Sequence, residues 1–63
     1  MTTNQISDMK TQIAKATRAQ LLKARSMNEM VCLDAEQHAD VRADALIWIS
    51  NIDTALKTRK EGI

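Results

Sequence analysis

His38, Cys32 and the carboxylates Asp34, Glu36, Asp40 and Asp44 are the side chains here best suited to chemistry, and they crowd one short stretch. A histidine beside acids can serve as a base, a metal ligand or a pH sensor. His38 has no nucleophile placed next to it, no Glu-x-x-His spacing and no second histidine, so it reads as a boundary or dimer-core residue near a turn. A cation site needs ligands converging from more than one element. Glu36, Asp40 and Asp44 instead recur every four residues, which makes them a solubilising face or the polar rim of a contact patch around an outward-pointing Ile47. Cys32 is the sole cysteine; it suits a reducing compartment and, with no activating basic neighbours, behaves as a small apolar side chain.

Lys15, Arg18 and Arg25 form a second candidate constellation, because cations spaced by three and seven along a helix can follow a phosphate backbone. No aromatic residue interleaves them to stack on bases. Glu36 and Asp40 are expected near Arg25 across the turn, so the stripe reads first as an ion-paired surface. Phosphate loops, paired-carboxylate clefts, Ser/His/Asp sets and zinc spacings are absent from the sequence. The expectation is a non-enzyme with no catalytic residue, no cofactor and no metal.

The elements that must position these groups are helical. Proline is absent and the only glycine is Gly62, so the usual punctuation of turns and strands is missing. Thr2 with Gln5 three residues on, or Thr3 or Asn4 in its place, can cap a first helix. From there Ile6, Met9, Ile13, Ala16, Thr17, Gln20, Ala24, Met27 and Val31 recur in steps of three and four, the period of one helix face. Leu21 sits on the flank of that stripe and Leu22 nearly opposite it. Asn28, within Ser26-Met27-Asn28-Glu29, could break the helix early; Met27, Met30 and Val31 keep the period, and the spacing predicts a helix over about 4–31. Asp34, with Gln37 three residues later, predicts the cap of a second helix over about 35–60 after a turn at about 32–34. That helix carries His38, Val41, Ala45, Trp48, Ile49, Ile52 and Leu56 on one side and Leu46 on the flank. Lys57, Arg59 and Lys60 suit its negative C-terminal end, with Gly62 beyond.

Sixty-three residues hold one domain, and a chain so short buries a small fraction of its surface. Two helices of about 40 Å lying side by side leave much of each stripe exposed. Pairing two such hairpins would close the core, so the expected architecture is all-α: a helical hairpin dimerising into an antiparallel four-helix bundle. Its dimer core would comprise Ile6, Met9, Ile13, Ala16, Ala24, Met27, Val31, Val41, Ala45, Trp48, Ile49, Ile52 and Leu56. Residues 1–31 carry five cations against Asp8 and Glu29, whereas residues 32–63 carry six acids against four cations. The two helices are therefore expected to attract one another. The start of the chain lacks the basic flank and apolar run of a signal peptide, and no stretch reaches the ~18 apolar residues of a membrane span. The expectation is a cytoplasmic protein with no membrane partner.

Two resemblances add to this reading. The run Leu33-Asp34-Ala35-Glu36-Gln37-His38-Ala39-Asp40 resembles the bend of the Rop family of plasmid RNA-binding proteins. That resemblance implies a dimeric four-helix bundle. In the Rop family a basic, polar first-helix face with a central aromatic grips paired RNA stem-loops; here the first helix offers Lys15, Arg18 and Arg25 and no Phe or Tyr. From Met1-Thr2-Thr3-Asn4-Gln5-Ile6 to Lys60-Glu61-Gly62-Ile63, the chain is similar in length and general character to the small early proteins encoded between the exonuclease and excisionase genes of lambdoid bacteriophages. That similarity implies a non-enzymatic regulator, made early in infection, that biases the lysis-lysogeny choice or the host cell cycle.

The functional expectation is thus a homodimer that binds a host or phage protein. Its candidate partner surface comprises Leu22, Ile47, Lys15, Arg18, Arg25, Asp40 and Asp44. RNA is the second candidate partner, and service as an adaptor subunit of a larger complex the third.

Overall fold

In the computed structural model, residues 2–58 are described, and they form three α-helices: α1 (Thr3–Lys15), α2 (Arg18–Leu33) and α3 (Ala39–Thr58). The fold is all-α, as its composition dictates. The first helix expected over 4–31, however, is two helices. Ala16 and Thr17 take extended backbone, with ψ of 147° and 163°, and the chain turns back there.

The cause is local and is written in the sequence twice. Thr2 caps α1: its Oγ1 accepts from the Gln5 N–H at 3.2 Å while Gln5 Oε1 accepts from the Thr2 N–H at 2.9 Å. Thr17 and Gln20 repeat the arrangement, at 3.1 and 2.9 Å, and so start α2. Each reciprocal box satisfies amides that a helix start leaves without intrahelical partners. Helix α2 then runs unbroken through Ser26–Glu29, with Asn28 Nδ2 donating to the Ala24 carbonyl of the same helix at 2.8 Å.

The turn is also longer than expected and begins later. Asp34 ends α2 rather than starting the next helix: its N–H donates to the Val31 carbonyl, its Oδ1 accepts from the Glu36 N–H at 3.0 Å, and its carbonyl accepts from the Gln37 N–H at 3.2 Å. An aspartate side chain that bonds the backbone two residues ahead closes an Asx turn, a local conformation that competes with helix capping. The helix α3 therefore starts at Ala39, with the His38 carbonyl accepting from the Arg42 N–H. The end expected for this helix near Lys60 and Gly62 lies outside the described residues.

Helices α2 and α3 run antiparallel: Arg25 meets Asp53 at one level and the Cys32 thiol lies 3.7 Å from the Arg42 carbonyl oxygen at another. Helix α1 rests on α3 with a smaller contact and barely touches α2. Met9 shares a hollow with Asp44 and Trp48, and Ile13 shares one with Asn51 and Ala55, so α1 advances along α3 in the same direction. The core is Met9, Ile13, Leu21 and Ile52, flanked by Ile6, Ala16, Ala24, Ile47, Trp48, Ala55 and Leu56. Burying side chains of this size contributes about 1.5–3 kcal/mol each, and each helix supplies one that is fully buried: Met9, Leu21 and Ile52. The Cα radius of gyration is 12.1 Å, against about 11 Å for a compact chain of this length, and the extents are 40 × 24 × 14 Å. The molecule is thin, and much apolar surface stays outside.

Candidate functional site: an apolar surface at the turn end

Helix α2 approaches the turn with Met27, Met30 and Val31 on adjacent ridges, since residues three and four apart are neighbours on a helix. Met27 is 59% exposed, Met30 70% and, one step further, Leu33 85%. Across the turn Val41 on α3 is also exposed. Met27, Met30, Val31, Asp34 and Gln37 line a shallow depression of about 280 Å³. Scattered exposed apolar residues are ordinary, whereas a contiguous set beside a polar rim marks a contact surface. Methionine suits such a surface because its unbranched, polarisable chain adapts to a partner's shape.

The expected core residues divide across this geometry. Met9, Ile13, Ala45 and Ile52 are buried; Ile6, Ala16, Ala24, Trp48, Ile49, Leu56 and Val31 are half-buried. Met27 and Val41, expected in the core, stand on the surface of the single chain because α1 covers the stripe only along its first half. Leu21, expected on the flank, is 2% exposed and central.

The expected partner surface is rearranged too. Leu22 is exposed as read, but Ile47 packs against the buried cluster rather than pointing outward. With α1 folded back, α3 is contacted on two sides, and Ile47 falls on the second. The cationic stripe does not form: the joint at Ala16–Thr17 places Lys15 on α1 and Arg18 at the start of α2, both exposed. Arg25 is engaged elsewhere than the turn. Its Nε donates to Asp53 Oδ1 at 2.5 Å, and its Nη1 pairs with Glu29 one helical turn on. The Arg25 guanidinium hydrogen bond holds the Asp53 carboxyl below its ordinary value, and the pairing raises Arg25 in return. Glu36 lies in the turn, so of the expected acidic stripe only Asp40, exposed, and Asp44, half-buried, are on α3. His38 is exposed in the approach to α3, not on an apolar stripe.

Met30 and Leu33 escaped the sequence reading as surface residues: Met30 served only to continue a period and Leu33 fell in the supposed turn. Two large apolar residues at i and i+3, off the main stripe, are the signal that could have found them. Among the described residues no group of three His, Cys, Asp or Glu could hold a metal ion, and no helix is long and apolar enough to cross a membrane. No family model, curated protein or solved structure matches this chain.

Proposed function

We propose that this chain is a small, non-enzymatic regulatory protein of the bacteriophage early type, homodimeric and cytoplasmic, that modulates host or phage development by binding another protein. The single observation that supports the reading is the exposed run Met27, Met30 and Leu33 on α2, with Val41 exposed on α3. Leaving such side chains in water sacrifices apolar burial that a short chain can hardly spare. A partner protein that covers them recovers it, and large apolar anchors with a polar rim are where binding energy concentrates.

The test is affinity capture from bacterial lysate with and without RNase, comparing the native chain with Met30→Asp and Leu33→Asp. Under this reading one protein is retained by the native chain after RNase treatment and lost with either variant, while helicity is unchanged. Capture that disappears with RNase, or that both variants retain, would replace it with the RNA-binding or another surface.

A further inference from the structure

We infer that the Ala16–Thr17 joint is a hinge through which two copies of this chain exchange α1, each first helix leaving its own α3 for the equivalent place on its twin's; this rests on the homodimer proposed above.

Three observations carry it. The covered apolar stripe keeps one helical phase straight through the joint: Met9 and Ile13 before it, Ala16 at it, Ala24 after it. A permanent corner would have no reason to preserve that phase. Second, the joint contains neither proline nor glycine, and only two residues with extended ψ interrupt the helix. Rotating those two residues into helical conformation joins α1 and α2 into one helix over 3–33, about 46 Å long, and adds backbone hydrogen bonds across the joint. What opposes this is the Thr17–Gln20 box, which exists only while α2 has its own start. Third, α1 docks on α3 and scarcely on α2. Opening therefore breaks essentially one interface, and a second copy restores the same interface in reciprocal form. Short hinge segments favour such exchange, because straightening them relieves a turn the single chain is obliged to make.

The exchanged dimer meets at its two hinges and α3 C-terminal ends, which leaves both Met27–Leu33 surfaces facing outward at its far ends. One dimer would then present two copies of the partner surface.

The experiment reports which chain each α1 rests on. Lys10 and Thr54 line one hollow between α1 and α3. Lys10→Cys and Thr54→Cys, with Cys32→Ser, are bridged by a short bis-maleimide at several protein concentrations and run on a denaturing gel. Two hinge variants bias the joint in opposite directions. Arg18→Pro suits the first position of a separate α2 and the extended Thr17 before it, but would clash inside a continuous helix. Thr17→Ala, or Gln20→Ala as its independent second, removes the box and favours continuity. The expected result is covalent dimer rising with concentration, at least tenfold more of it in Thr17→Ala than in Arg18→Pro, with both variants helical. A Thr17→Ala dimer in sedimentation whose bridges all stay within one chain would overturn the exchange and leave the homodimer standing. A monomer at every concentration in all variants would remove both.

Discussion

Arg25 Nε lies 2.5 Å from Asp53 Oδ1, across 28 positions of sequence, and Glu29 takes the opposite edge of the same guanidinium. This side-chain ion pair crosses between helices, and it fixes the register of α2 against α3 from outside the core. Pairs on a surface this open contribute little to total stability, because water screens them. Their value here is positional: a planar donor with two fixed edges admits one alignment of the helices.

Acid should report that pair. The Asp53 carboxyl is depressed from its ordinary 3.8 by the Arg25 hydrogen bond first and by nearby cations after it. A depressed folded value means that the contribution is fully present above pH about 4 and is lost as pH falls through the lower, folded value. Asp53→Asn should therefore flatten the pH dependence of thermal melting below about pH 4 relative to the native chain, as followed by circular dichroism.

Ile52 is fully enclosed where all three helices converge. Truncation to alanine leaves a cavity and should cost about 2–5 kcal/mol. For a chain of this size that approaches the whole stability, so the cooperative thermal transition of Ile52→Ala should vanish or move below room temperature.

Thr2→Ala removes one reciprocal box and should cost about 1 kcal/mol. The loss should stay local: amide hydrogen exchange should quicken over the first turns of α1 while α2 and α3 keep their protection. Uniform acceleration across all three helices would mean that α1 melts only with the whole.

Asn28 sits inside α2 with its amide turned back onto the Ala24 carbonyl. Alanine there frees that carbonyl from a competing donor and gains intrinsic helix propensity, worth roughly 0.5 kcal/mol. The expected reading is a slightly higher midpoint in urea with an unchanged slope.

What could be read from the residues alone follows from what periodicity measures. Met9, Ile13, Ala45 and Ile52 were legible as core because burial and helical spacing coincide there. The start of α1 was legible to within three residues, Thr2, Thr3 or Asn4, and the reciprocal box with Gln5 selects Thr2. Thr17-Arg18-Ala19-Gln20 carries the same signal, yet Ala16 and Thr17 also satisfy the apolar stripe, and a period cannot register a corner whose own residues fit it. Asp34 failed differently: it ends α2, and its carboxylate accepts from the Glu36 N–H to close a turn where a cap for the next helix was expected. Leu21 and Ile47 were misplaced for a common reason. A two-helix picture gives each helix one contact face, and only the return of α1 creates the extra side of α3 that covers Ile47.

Both α1 and α2 find their main cover on α3, which follows them in the chain. While the chain is being synthesised, neither earlier helix has anything of its own to fold against. Assembly must wait until α3 leaves the ribosome, so until then the nascent chain displays the apolar faces of α1 and α2 to chaperones and to any sibling chain emerging nearby.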